Sequence, residues 1–377
     1  MEEINTKNYR VELLDYFRGI MAFSVLIYHY TFWSEMPLIY PIDQTVSRLG
    51  VYAVSAFYVL SGASLALVYY KKSVNVDFIK DFTVKRFFRI APLFYLVTTA
   101  AIVLAVMSNY LTTDTSVIPD IKTIILNYTL TFGWLSPDSY IATGAWSIGS
   151  ELVFYSLFPI MLFLIKKSYK HFFVFALIAI TLSFSFSEIF INSDKSFESQ
   201  WSLYINPLNQ LYLFVGGFLV GYLYKMGKEV NRAVLLILMV SAVCVFVFFP
   251  TEGSNRLSFV VGYNKIIFSV TIFIFCLFAT FWGNIKQNVI TRVLKFFGDI
   301  SYSLYLIHPL VWGVTGFALQ IVSISNPIIR VVLSILVTIF ISAFVYNYLE
   351  KPFIKIGRRV SDNLVGSRPS SDARKLN

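Results

Sequence analysis

Charge is scarce in this chain. Only 14% of its 377 residues are Asp, Glu, Lys or Arg, where a soluble domain carries about 25%. Fully 57% are apolar and the mean hydropathy is +0.68, so a water-soluble globule is excluded. Cysteine is nearly absent: Cys244 and Cys276 fall in separate apolar runs, which suits neither a disulfide framework nor a thiolate metal site. There is no phosphate-cradling glycine loop of the Walker type, no cluster with metal-ligand spacing and no internal repeat. Histidine occurs three times, so each position invites a question.

Long apolar runs are abundant. Segments of about 20 residues, the length that crosses a bilayer core, lie near 13–32, 51–70, 91–108, 145–165, 171–191, 204–224, 232–249, 264–282, 300–322 and 328–349. A chain that spans lipid must satisfy its own backbone hydrogen bonds, and helices do so segment by segment. The expectation is an all-α, polytopic integral membrane protein of about ten transmembrane helices in one bundle, over residues 1–357. Lys and Arg number six at 71–90, three each at 166–170, 225–232 and 283–299, and seven after the last run, against two or fewer in each intervening connection. The positive-inside rule then puts those connections and both termini in the cytoplasm. The net charge of +10 is accounted for by this topology, and no nucleic-acid partner is needed. No small-residue cleavage site follows the first run, which predicts an uncleaved signal anchor. Residues 358–377 are polar and basic without helical period, and a disordered cytoplasmic tail is expected there. In "GGFLVG", Gly217 and Gly221 have the spacing of a close helix contact.

Against this background the polar residues inside the runs stand out. A charge near the bilayer centre costs about 2.5–3.5 kcal/mol on insertion scales and usually faces a partner or a cavity. In "LLDYFRGIMAFSVLIYHY", Arg18 and His29 are eleven residues apart, near three helical turns, so they share one helix face about 16 Å apart along the axis. Asp15, three residues before Arg18, is placed to pair with it. Interfacial anchoring of Asp15 and Arg18 by snorkelling, with His29 packed near the outer surface, accounts for the same residues. Glu151 lies early in the fourth run and His308 inside the ninth, just before Pro309. Two imidazoles and a carboxylate are the equipment of acid–base chemistry. In "KRFFRIAPLFY", Arg86 and Arg89 are one turn apart, a spacing that suits phosphate recognition and equally marks the cytoplasmic boundary.

Taken in order, these segments resemble the acyltransferase 3 family of membrane O-acyltransferases. "LDYFRGIMAFSVLIYH" is similar to its first-helix motif of arginine, ten residues and histidine. "FYVLSG", "RFFRIAPLFY", "WSIGSELVFY", "SYSLYLIHPL" and "YLEKPF" resemble its later elements, and together they cover residues 13 to 353. The resemblance implies transfer of an acyl group, most often acetyl, from cytoplasmic acyl-CoA to a hydroxyl of a cell-surface polysaccharide, such as an exopolysaccharide or O-antigen, or of its lipid-linked precursor. It implies catalysis by His29, and donor binding by Arg18, Arg86 and Arg89. Chemistry adds Glu151 as the group that orients the imidazole, and His308 as an acceptor-side contact or proton shuttle. The expected partners are an acyl-CoA donor (acetyl-CoA as substrate, with no permanently bound cofactor), a glycan or glycolipid acceptor and the bilayer of a bacterial inner membrane. Ser55 stands where the family often has aspartate and Leu152 where a second carboxylate often follows Glu151. The hydrolase-like extracytoplasmic domain of some members is not expected. The rival class is a transporter or flippase with a His, Arg and Glu path, for which matched broken helices in two repeats would be the signature.

Overall fold

The structure, a computed structural model, describes residues 11–112, 118–192, 194–251, 256–283 and 285–366. Among them there is no strand. The helices are α1 (Glu12–Trp33), α2 (Ile42–Tyr69), α3 (Val76–Thr112), α4 (Ile121–Tyr128), α5 (Phe132–Leu135), α6 (Trp146–Lys167), α7 (Tyr169–Ser185) and α8 (Trp201–Tyr204). They continue as α9 (Pro207–Lys225), α10 (Arg232–Phe248), α11 (Gly262–Phe281), α12 (Val289–Asp299), α13 (Ser301–Ile321), α14 (Pro327–Val345) and α15 (Lys351–Val365). Each of the ten expected runs is mostly helical, the one near 204–224 being broken at residues 205–206.

Seven helices are long and apolar enough to cross a membrane, and the bent pair 198–204 and 207–225, with a 48° break, makes up to eight. Helix α10, at 232–248, is apolar but shorter. Helix α1, with Arg18, His29 and three tyrosines in its length, lies outside that set. The chain is a multi-pass membrane protein. Large apolar side chains turned outward, such as Phe173 at 68% exposed and Phe340 at 74%, suit a lipid surface and would be costly in water.

The chain forms two compact units, each built from two stretches. The first joins residues 1–70 to 212–301 and the second joins 71–211 to 302–377. In the first, α1 packs on α2 and α12, and α11 on α2 and α10. The glycine pair acts as its spacing predicts: a Cβ at Gly217 would strike the backbone of Val59, and one at Gly221 the backbone of Ala63. Helices α9 and α2 thus approach with backbones in contact. Arg48 of α2, fully buried, closes the end of α10 by donating to the carbonyls of Phe246 (2.7 Å), Val247 (3.0 Å) and Phe249 (2.5 Å). Those carbonyls have no partner within the helix.

In the second unit α15 lies along α3. Residues 358–365, expected to begin an irregular tail, are therefore helical, while 367–377 lie outside the described residues. The reason is tertiary. Gly357 and Ser361, one turn apart, let α15 settle on α3, Gly357 against Phe88 and the Ser361 hydroxyl donating to Asp81 at 2.5 Å.

Candidate active site

In the first unit the site residues sit on α1. The Arg18 guanidinium pairs with Asp15 at 3.1 Å, the i,i+3 contact that the spacing predicts. It also reaches α2, donating to the Ser64 hydroxyl at 2.6 Å and the Leu60 carbonyl at 3.4 Å. The cation is held by fixed oxygens from two helices. Three turns later the His29 ring stacks on Trp33 (centroids 4.7 Å) and meets Tyr28 edge-on (5.0 Å). It bonds the Val25 carbonyl one turn back. A carbonyl only accepts, so the bonded ring nitrogen carries hydrogen, and in the neutral ring the other nitrogen keeps its lone pair.

Arg256, to which the sequence drew no attention, belongs to this group. Its guanidinium lies over the Phe32 ring at 4.6 Å, donates to the Tyr28 hydroxyl at 3.2 Å and acts electrostatically on His29. It is far from His29 in sequence and stands alone in a connection poor in charge, so no spacing could have paired them.

The second unit gathers three of the expected residues. Arg86 of α3 lies over the ring of Tyr155 at 5.7 Å and of Phe82 at 5.9 Å. The Tyr155 hydroxyl donates to the Glu151 carboxylate one turn before it on α6. Tyr155 also feels the charges of Arg86 and Arg89. Glu151, expected to orient the His29 imidazole, thus takes Tyr155 as a partner within a group that includes both arginines. Two residues that sequence reasoning quoted but gave no role complete the group. Tyr302 is within range of Arg89, Glu151 and Glu350, and the buried Glu350 accepts from the Ser303 hydroxyl and faces the Arg89 charge. Four motifs far apart in sequence, "RFFRIAPLFY", "WSIGSELVFY", "SYSLYLIHPL" and "YLEKPF", therefore meet through their charged and phenolic side chains. Glu350 closes a single π-helical turn, Tyr346–Glu350, a feature frequent at functional sites.

His308, on α13, is fully buried. Its Nδ1 lies 2.7 Å from the Tyr305 carbonyl, and the cause is the next residue. Pro309 has no N–H, so the carbonyl four residues before it loses its helical partner. That carbonyl is Tyr305's, and the imidazole takes the place. Nδ1 is then the protonated nitrogen. The Tyr305 hydroxyl donates to the Gly144 carbonyl and accepts from Ser147, both at 2.8 Å. Among the described residues no three His, Cys, Asp or Glu side chains gather as a metal site requires.

Comparison with known proteins supplies the family. A family model described as an acyltransferase domain matches residues 11–347. The chain is 24% identical over 379 aligned residues to the "Putative peptidoglycan O-acetyltransferase YrhL" of Bacillus subtilis (strain 168), covering 92% of this chain and 55% of that one. It is 25% identical to a "Putative O-acetyltransferase" of Staphylococcus aureus (strain COL), covering 91% and 57%. A "Putative acetyltransferase" of Acidianus two-tailed virus is 25% identical, covering 84% of this chain and 88% of that one. The chain thus spans a little over half the length of the two bacterial relatives. No solved structure matches significantly. With the family model running across both units, the chain belongs to the acyltransferase 3 family.

Proposed function

We propose that the protein is a membrane O-acyltransferase that moves an acyl group, acetyl in the first instance, from cytoplasmic acyl-CoA to a hydroxyl of a cell-surface polysaccharide or its lipid-linked precursor. The observation that carries this reading is the match of the family model over 11–347. The gathering of Arg86, Arg89, Glu151, Tyr155 and Glu350 supports it. Coenzyme A is anionic at its nucleotide end and reactive at the far end of a flexible arm. A pair of guanidinium groups one turn apart recognises the phosphates, with Glu350 and the Tyr155–Glu151 pair fixing where those groups stand. Arg18 helps to hold the donor.

In the chemical step the acceptor oxygen attacks the thioester carbonyl carbon while its proton passes to the ring nitrogen of His29 that is not held by the Val25 carbonyl. The C–S bond then breaks, and the proton leaves with the coenzyme A thiolate as free thiol. Holding one imidazole nitrogen on the Val25 carbonyl keeps the other ready as the base, the part that a carboxylate plays in a catalytic triad. His308 serves the acceptor side.

The location that fits is a bacterial inner membrane with both termini cytoplasmic. With Cys244 and Cys276 replaced, a cysteine at the exposed Ser73 reacts with an impermeant thiol reagent only after the membrane is opened, whereas one at the exposed Ser199 reacts in intact spheroplasts. The opposite pattern would put Arg86 and Arg89 on the wrong side for the donor. The decisive assay is release of free thiol by the purified protein given acetyl-CoA and candidate glycans. Absence of glycan-dependent release, with acylated glycan undetected by mass spectrometry, overturns the assignment.

A further inference from the structure

The second unit holds a cavity of 430 Å³ that the chemistry above has not used. Its size lies within the range of about 300–1,000 Å³ common to small-molecule sites. Helix α3 lines one side with Ala101 and Ala105, α13 lines another with Pro309, and Ser108, Thr123, Tyr140 and Thr143 contribute hydroxyls. Pro309 ties it to His308, since the same residue forms the wall and frees the carbonyl that positions the imidazole.

The polar side of the cavity is built in advance. Asn127, fully buried, donates to the Ser139 carbonyl at 2.7 Å and receives the Ile141 N–H at 3.2 Å, which fixes the segment carrying Tyr140. The Trp201 indole donates to the Tyr140 hydroxyl at 2.9 Å. That bond uses an acceptor site of the phenol and leaves its proton to be donated.

The charge of the lining decides the ligand. In a protein with 31 Lys and Arg and 21 Asp and Glu, none of the side chains lining this cavity is charged at neutral pH, and the carboxylates that act on lining residues, Asp120 on Thr123 and Asp138 on Tyr140, would only repel an anion. The same unit concentrates its charge elsewhere, around Arg86, Arg89, Glu151 and Glu350. A phosphate or a uronate would enter without a counter-ion, at the cost of desolvating a charge. A hydrocarbon chain would offer no acceptor to the proton that the Tyr140 hydroxyl has left to donate. A sugar ring offers apolar C–H faces to the alanine and proline walls and hydroxyls to the polar side. We propose that this cavity is the acceptor subsite, and that it takes an uncharged sugar residue and presents one of its hydroxyls for acylation. The inference rests on the acyltransferase reading above.

The test uses the full-length protein in detergent with saturating acetyl-CoA. The probes are the methyl glycosides of glucose, galactose and N-acetylglucosamine, with methyl glucuronide and glucose 1-phosphate as charged counterparts. Neutral glycosides are expected to be acylated with a kcat/KM at least about tenfold above the charged ones. Ala101→Phe and Ala105→Phe, which fill the cavity from α3, should raise acceptor KM by about tenfold or more while donor KM stays put. A second readout needs no turnover. Titration of the glycosides without donor should change the fluorescence lost in Trp201→Phe, saturably in the native protein and not in Ala101→Phe.

Equal acceptor KM in native and both filled proteins would overturn the proposal, as would preference for the uronide or phosphate. Quenching of Trp201 by a chain-brominated phospholipid that the filling substitutions abolish would make the cavity a lipid slot and overturn it too. If no acceptor elicits thiol release, the acyltransferase reading fails by itself, and the fluorescence titration still decides whether the cavity binds neutral sugar.

Discussion

The histidines of α1 and α13, one in each unit, are held by the same device and differ in what surrounds them. His29 bonds the Val25 carbonyl and His308 the Tyr305 carbonyl, each within its own helix. Either bond fixes the ring and selects the nitrogen that remains reactive. His308 is sealed, with no exposed surface, and its fixing carbonyl exists because Pro309 follows it. His29 is half-buried, stacked on Trp33 and flanked by Tyr28, with the Arg256 cation close by. The contrast teaches that a shared tautomer device does not imply a shared role. A base must meet a substrate proton, and partial exposure suits His29 to the role proposed for it.

The largest effect should come from breaking this asymmetry directly. His29→Ala is expected to lower kcat by about 100- to 10,000-fold, the range for loss of a general base, with acetyl-CoA binding nearly unchanged. His308→Ala should cost less in kcat and act mainly on acceptor KM. Equal losses from the two would erase the distinction.

Next in size is the arginine pair of the second unit, proposed to hold the donor. Arg86→Glu with Arg89→Glu should raise the KM for acetyl-CoA by about 10- to 100-fold, since bonds to charged groups contribute about 1.5–3 kcal/mol each. It should also flatten the dependence of KM on ionic strength, because screening acts over a Debye length of about 8–10 Å. Lysine at both positions should restore only part, keeping charge and losing the bidentate fork. An unchanged donor KM in correctly inserted protein would return the pair to a topology signal.

Arg256→Gln sharpens the description of the His29 surroundings. Loss of its contact with Phe32 and Tyr28 is expected to lower kcat by about two- to thirtyfold, from the 0.5–2 kcal/mol of such cation–aromatic contacts, with donor KM unaffected. An unchanged kcat would show that the cation merely packs there.

The smallest expected effect is the most diagnostic for His308. Pro309→Ala returns an N–H to the Tyr305 carbonyl, so α13 gains a hydrogen bond while the imidazole loses its fixed partner. Acceptor kcat/KM should fall by several-fold, up to about tenfold, with a melting temperature equal to or above that of the native protein. A fall in stability parallel to activity would mean that the proline serves the helix alone.

Much of the fold was legible in the sequence because lipid imposes a simple rule, and apolar runs of sufficient length have one way to satisfy their backbones. The places where reading failed share a cause. Residues 358–365 look like a solvated tail by composition, and only contact with Phe88 and Asp81 on α3 makes them helical. The site divides in the same way. The Asp15–Arg18 and Glu151–Tyr155 pairs follow from helical spacing, whereas the contact of Arg86 with Tyr155 and the facing of Glu350 and Arg89 come from helices that no periodicity relates.

The sequence by itself determined the solvent, the helical class and the family, since hydropathy, charge alternation and ordered motifs are properties of the chain taken one segment at a time. Only the tertiary structure decided that Glu350 faces Arg89, that Arg256 stands by His29 and that an uncharged cavity adjoins Pro309. Electrostatic and steric contacts act across space at a few ångströms, and residues hundreds of positions apart reach that distance only when the helices have packed.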